Sequence, residues 1–179
     1  TVSNLSSTSA LSDITKKHKG KHFSSMVGEV NVIEEMKLRN AVVGGEGNGG
    51  VIYPELYYGR DALLGVALFL SLIAEKCVKV SELKSSYPLY FMCKKKIDLN
   101  PDLDIESIFE SIKKKFSSRK ILTMDGLKIE FEDSWVHLRK SNTENIIRII
   151  SEGKSKRIAE KIAISFIEEI NNESISNLD

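Results

Sequence analysis

The chain changes rhythm at Ser85-Ser86-Tyr87-Pro88, and that change governs what it can fold into. Proline holds its predecessor in extended backbone, so a helix stops before Tyr87. Ahead of this point short strands alternate with helical segments; beyond it strands dominate. Two domains are expected, residues 1–87 and 88–179, and 179 residues are enough for two small ones.

In the first part, residues 1–4 read as a strand and 7–17 as a helix, with Leu11 and Ile14 on one face. Gly20 ends that unit and a short strand follows over 21–24. Val30, Ile33 and Met36 carry a second helix over 30–38. Ala41-Val42-Val43 reads as a short buried strand that enters a glycine loop; Val51-Ile52-Tyr53 leaves it as another. Asp61 suits the N-cap of an apolar helix over 62–74. That run is broken by Gly65 and Ser71 and falls short of the ~20 residues of a membrane span, so it reads as a buried helix. A short helix over 80–84 follows. The alternation predicts an α/β domain with a mostly parallel or mixed sheet.

The second part reads differently. A strand over 89–96 precedes an amphipathic helix over 105–116, whose core face is Ile105, Ile108, Phe109 and Ile112. Asp125-Gly126 between two apolar runs signals a tight hairpin. Strands over 135–139 and 146–150 and a helix over 158–170 complete the order β-α-β-β-β-β-α. An α+β domain with a four-stranded, mainly antiparallel sheet and two helices is expected.

Two polar stretches carry chemistry. Arg139-Lys140-Ser141-Asn142-Thr143-Glu144 packs a guanidinium, two hydroxyls and a carboxamide into one turn. Arginine offers a planar fork that matches two phosphate oxygens, and Ser141, Asn142 and Thr143 can fill the remaining positions. Arg148 lies on the next strand and can reach back to the turn. Ser, Asn and Thr also favour turns for local reasons alone. Gly44-Gly45-Glu46-Gly47-Asn48-Gly49-Gly50 puts one carboxylate among five glycines, where Glu46 can accept from neighbouring sugar hydroxyls and Asn48 can donate and accept. It is not a P-loop, since no Gly-Lys-Ser/Thr follows, nor a dinucleotide fingerprint, since a strand-like segment follows instead of a helix. A plain flexible connection is the other reading. Together the two stretches suggest a phosphosugar held at both ends.

A net charge of +1 supplies no field for nucleic acid or an anionic membrane. Lys94–Lys96 and Lys113–Lys115 raise a nucleic-acid reading, but acids nearly balance bases and the nearby Phe109 and Phe116 look like core. Cys77 and Cys93 form no C-x-x-C motif and read as thiols of a reducing cytosol. His18, His22 and His137 lack metal-ligand spacing; the first two suit the surface. Asp98, Asp102 and Asp104 read as a polar loop with acids at a helix N-terminus.

The glycine loop, Gly59-Arg60-Asp61 and the Arg139–Glu144 stretch together resemble the α-D-phosphohexomutases, the superfamily of phosphoglucomutases, phosphomannomutases and phosphoglucosamine mutases. The Ser3-Asn4-Leu5-Ser6-Ser7-Thr8 and Val27-Gly28-Glu29-Val30-Asn31-Val32 stretches resemble the phosphoglucosamine mutase or phosphomannomutase branch. The resemblance covers nearly the whole chain and implies the latter part of a third, α/β domain followed by a fourth. It implies that Glu46, Asn48, Gly28 and Glu29 line the sugar site. It implies that Arg139, Ser141, Asn142 and Thr143 grip the phosphate that is not transferred, to which Arg148, by its strand position, can add a second donor or a brace. Three positions depart from the family: Asn145 stands where many members have proline, Gly50 where some branches have histidine, and Ser9 replaces a basic residue. The family's phosphoserine loop and its Asp-rich magnesium loop are absent. The implied partners are a hexose or hexosamine phosphate and N-terminal domains of the same polypeptide that bind Mg2+. A chain that starts at Thr1 inside a strand is expected of a fragment, inactive by itself and cytoplasmic. A non-catalytic phosphosugar-binding module remains the alternative.

Overall fold

In the computed structural model, which describes residues 1–98, 104–141 and 144–176, the chain divides into two units, Thr1–Leu89 and Tyr90–Asp179. The first unit runs β1 (Val2–Asn4), α1 (Ser9–Lys17), β2 (Phe23–Ser25), α2 (Glu29–Arg39), β3 (Gly44–Gly45), β4 (Val51–Tyr53), β5 (Tyr57–Arg60), α3 (Ala62–Lys76) and α4 (Val80–Ser85). Its strands lie in the order β2-β1-β3-β4-β5. β1 is parallel to β2 and β3, while β3–β4 and β4–β5 are antiparallel, which makes the sheet mixed. Thr8 caps α1, its hydroxyl accepting from the Ala10 amide. Val32 and Met36 of α2 bury their apolar stripe against Val2 and Ile52, a spacing of one helical turn.

Two expectations for this unit change. The third strand is Gly44–Gly45 and not Ala41-Val42-Val43. Asn40 takes the left-handed conformation at the end of α2 and the Ala41 amide bonds back to Met36 O. That closure delays the strand to Gly44, although Val43 O already accepts from the Val2 amide, and leaves Val42 exposed. The apolar run over 62–74 is a helix as read, with Asp61 accepting from the Leu64 amide at 2.8 Å. It is not a buried helix, because no residue of α3 is buried. Gly65 brings the helix near Val51 of β4, and among the described residues its outer faces have no cover. Leu63 is 82% exposed, and Val66, Leu68, Phe69 and Leu70 are exposed as well.

The second unit runs β6 (Phe91–Asp98), α5 (Ile105–Lys115), β7 (Lys120–Leu122), β8 (Leu127–Glu130), β9 (Ser134–Lys140), β10 (Ile146–Gly153) and α6 (Lys156–Ser176). The sheet, β6-β10-β9-β8-β7, has five strands against the four expected. β6 adds the fifth by pairing along its whole length with β10. Every pairing is antiparallel. Gly126 makes the β7–β8 turn with φ +76°, and any side chain there would overlap the Leu138 carbonyl. One sheet face packs Ile129, Val136, Leu138, Ile147 and Ile149 against Ile108 and Ile112 of α5 and against Phe166 and Ile170 of α6. Strand alternation therefore sends the neighbouring residues to the other face.

That other face is polar yet partly closed. The Trp135 indole N–H donates to Glu152 Oε1 at 2.8 Å, and Lys128 Nζ stands 4.1 Å from the Trp135 ring centroid, within cation–π reach. Lys128 is only 7% exposed, and burial pushes its ammonium down from 10.5 to about 8 against the opposing pull of Glu130 and Glu152. Below about pH 8 both states are protonated and the folded state bears the full burial penalty. Between pH 8 and 10.5 the unfolded chain binds the proton that the folded chain has released. Unfolding free energy should therefore rise across this window by up to about 3 kcal/mol. Urea titrations from neutral pH to pH 10.5 should show this rise in the protein and lose it in Lys128→Met. An equal slope in both would assign it to other groups.

Candidate functional site

In the first unit the C-terminal ends of the three parallel strands meet. Asn4 ends β1, Gly28 follows β2 and Glu46 follows β3. The chain leaves β1 toward β2 and returns across it to β3, which makes this edge a topological switch point, the place where open α/β sheets bind ligands. A cavity of about 250 Å3 opens there, lined by Ser3, Ser7, Thr8, Gly45, Glu46 and Gly49 among others.

Glu46 is the centre of this edge. Its Oε1 accepts from Asn4 Nδ2 at 2.8 Å and from the Gly28 amide at 3.1 Å. Its Oε2 lies 3.4 Å from Arg60 Nη1. Asn4 is itself fixed, its Oδ1 accepting from the Ser6 amide and the Ser7 hydroxyl. The loop closes through Glu46 N to Gly50 O and Gly49 N to Glu46 O, both 3.1 Å. Asn48 Oδ1 accepts from the Gly50 amide, so this side chain shapes the turn. Glu29, first residue of α2, accepts from the Arg60 amide at 2.8 Å and from Arg60 Nε at 2.9 Å. Those bonds, the backbone one first, hold the Glu29 carboxyl below its ordinary range.

The structure thus brings Gly28, Glu29 and Glu46 together, through the Glu46 carboxylate and Arg60, while Asn48 is exposed and bonded within its own loop. It adds two residues that had been given no role. In the sequence Arg60 stands out only as part of Gly59-Arg60-Asp61, and Asn4 as the end of a strand-like segment within the Ser3–Thr8 stretch. The signal for Asn4 was a short amide side chain placed just before a Ser-Ser-Thr turn.

In the second unit the β9–β10 hairpin gathers Arg139, Ser141 and Arg148 at one end. Arg139 Nε donates to Asp125 Oδ1 at 2.8 Å. The Asp125 carbonyl accepts from His137 Nε2 at 2.6 Å. Burial holds the His137 imidazolium below its ordinary pKa, so the ring beside Arg139 is neutral at physiological pH. Arg139, Arg148 and Lys96 are successive cross-strand partners on β9, β10 and β6. Three cations thus stand in one row, and carboxylates already offset the two arginines, Asp125 beside Arg139 and Glu144 beside Arg148. Arg148 reaches the turn, with Nη2 donating to Glu144 Oε2 at 3.0 Å. Ser141 is buried and its amide closes the hairpin onto Ile146 O. Asn142 and Thr143 lie outside the described residues. Asp125 was read only as a turn former; its second role as the brace of Arg139 has no sequence signal.

Among the described residues no group of three or more His, Cys, Asp or Glu is placed to hold a metal ion. Asp104 caps α5, accepting from the Glu106 and Ser107 amides, and Asp102 lies outside the described residues. Both cysteines are free thiols. His18 is exposed, whereas His22 is half-buried with Nδ1 2.9 Å from the Thr1 hydroxyl. No helix among the described residues is long and apolar enough to cross a membrane.

A mixed sheet with a carboxylate loop at its switch point, followed by an antiparallel unit with a cation-lined hairpin, is the architecture of the C-terminal part of a phosphohexomutase. The chain belongs to the phosphoglucomutase/phosphomannomutase family: residues 1–90 match its alpha/beta/alpha domain III and residues 95–169 its C-terminal domain. It is 37% identical over 163 residues to a phosphoglucosamine/phosphogalactosamine mutase of Sulfurisphaera tokodaii, covering 90% of this chain and 36% of that protein. It is 36% identical over 173 residues to a phosphoglucomutase/phosphomannomutase of Thermococcus kodakarensis, covering 94% of this chain and 38% of that protein. The chain therefore spans little more than a third of the length of these relatives. Its fold is shared by a solved phosphoglucomutase/phosphomannomutase family protein of Burkholderia thailandensis, with TM-score 0.78, 23% identity, and 96% of this chain and 37% of that one covered.

Asn4→Ala removes the three side-chain hydrogen bonds at this edge and strips one from a nearly buried carboxylate. Denaturant unfolding should register a loss of about 1–3 kcal/mol. A midpoint unchanged within error would show that Glu46 is held without it.

Proposed function

We propose that the intact polypeptide is a phosphohexomutase that interconverts hexose or hexosamine 1-phosphate and 6-phosphate. This chain carries its sugar- and phosphate-recognition half. The observation that carries the reading is the Glu46 carboxylate, braced on a glycine loop at the switch point of a mixed sheet. The relatives' names favour a glucosamine, glucose or mannose phosphate as substrate, and a metabolic enzyme of this kind belongs in the cytoplasm.

In the proposed mechanism Gly28, Glu29, Glu46 and Asn48 of the first unit line the sugar. Glu46 accepts from ring hydroxyls. In the second unit Arg139, Ser141 and Arg148, together with Asn142 and Thr143, grip the phosphate that stays in place. Asp125 keeps the Arg139 fork oriented before substrate arrives, which lowers the ordering cost of binding. A phosphoserine outside this chain donates its phosphoryl group, giving a 1,6-bisphosphate that returns its other phosphate to the serine. A magnesium ion, which residues outside this chain would have to hold, would supply charge neutralisation for that transfer. A sugar bound in two opposed orientations needs one fixed phosphate grip and a hydroxyl reader tolerant of both.

The exposed α3 residues suit the same reading. Leu63, Val66 and Leu70 recur at helical spacing and lie open. Apolar patches of this kind mark interfaces. Their proposed cover is the remaining part of the same polypeptide, which in the relatives exceeds the part matched here.

Two measurements test the reading. A labelled-phosphate transfer assay on the 179-residue chain alone should be blank; turnover would place the chemistry here. In the intact enzyme, Arg139→Ala should lower kcat/KM by roughly 30- to 1,000-fold, equivalent to about 2–4 kcal/mol, because a charge-assisted contact to a dianion is lost. An unchanged value would remove Arg139 from the site.

A further inference from the structure

We infer that Arg60 is a sugar-recognition residue, which with Glu46 forms a donor–acceptor couple that reads a single ring hydroxyl. This rests on the reading that Glu46 takes sugar hydroxyls.

The geometry begins at β5. Arg60 ends that strand and pairs with Ile52 of β4, which sets its side chain beside the glycine loop. Glu29 takes both the backbone amide and Nε of Arg60, so the near side of the guanidinium is fixed. Its far side is directed to Glu46, with Nη1 3.4 Å from Oε2. Glu29 and Glu46 are thereby joined through one cation, which suppresses the repulsion that two facing carboxylates would feel. The Glu46 side chain is only 7% exposed, and a carboxylate so enclosed is costly without a counter-charge.

Two features make this more than a brace. The Nη1–Oε2 separation is long for a charge-assisted bond, so Oε2 keeps capacity for a second donor. Among the described residues Arg60 Nη2 has no partner, and the side chain is 41% exposed. A sugar hydroxyl both donates and accepts. Oε2 of Glu46 accepts its proton while a guanidinium N–H of Arg60 donates to its oxygen. A carboxylate alone satisfies only half of that hydroxyl.

Gly50 supplies an independent handle. A Cβ added there would overlap Cδ and Cγ of Arg60. The arginine stem lies across the bare glycine, and any side chain at position 50 evicts it. Gly50→Ala thus displaces the guanidinium without deleting it, and Arg60→Met deletes it while keeping the stem.

The test uses the full-length enzyme and whichever of glucose, mannose and glucosamine 1-phosphate it turns over best, with the 3-deoxy and 4-deoxy analogues of that substrate. For the unaltered enzyme one of the deoxy compounds should lose ~10–100-fold in kcat/KM, because a site built for a hydroxyl leaves its polar groups unpaired. In Arg60→Met and in Gly50→Ala that loss should shrink to within about threefold, with KM for the parent sugar raised more than kcat is lowered. Arg60→Lys, which keeps a donor, should recover part of the discrimination. A uniform drop on all three compounds with full deoxy discrimination retained would make Arg60 merely structural and overturn the inference. Glu46→Gln separates the two failures. If it leaves the deoxy loss intact, the hydroxyl-reading role of Glu46 falls and this inference with it. If it abolishes the loss while both Arg60→Met and Gly50→Ala retain it, only the role of Arg60 falls.

Discussion

The placement of one carboxylate organises the first unit. Glu46 gathers Asn4 from the end of β1, the Gly28 amide from the start of α2 and Arg60 from the end of β5. None of these elements is long: β1 has three residues and β3 two. Strands so short define an edge poorly through ladder hydrogen bonds alone. A charged group shared among their ends ties them together, and in the proposed reading the same group takes the sugar hydroxyls. On that reading stability and recognition are served by the same atoms.

The second unit separates the two tasks. Its helices seal one face of a regular antiparallel sheet, and that apolar core owes nothing to the charged residues opposite. The other face carries Lys128, Trp135, His137 and Glu152 in a partly closed polar cluster, then the cations Arg139, Arg148 and Lys96 nearer the hairpin end. The Asp125 turn links the two regions, since its carbonyl takes His137 and its carboxylate takes Arg139. A turn that looks like simple chain reversal therefore fixes the orientation of the arginine most suited to an anion.

Much of this was legible in the sequence because local rules and tertiary structure agree. Ile105, Ile108 and Ile112 recur at helical spacing and are buried together, and Asp104 caps their helix. Asp125-Gly126 makes the hairpin its residue types demand. The failures have physical causes. Residues 41–43 look like a strand by composition, yet the left-handed stop at Asn40 and the backbone bond from Ala41 deflect them. The α3 helix is as apolar as expected, but apolarity predicts that a surface seeks cover, not that it finds cover in the same unit. Arg60 escaped because its partners lie 14 and 31 residues away, and pairing at that range leaves no periodic trace. The Arg139 hairpin was seen as a set of donors; that its row extends to Lys96 follows only from strand register.

The bare α3 helix has a practical side. A fifteen-residue segment with Leu63, Leu68, Leu70 and Phe69 turned to water lowers its free energy by meeting any apolar surface, and another copy of itself is the nearest one. Colloidal behaviour of the separated chain is then set by this helix and not by the near-neutral charge balance. Polar replacements at Leu63 and Leu70 would keep such a preparation dispersed without touching the Glu46 edge.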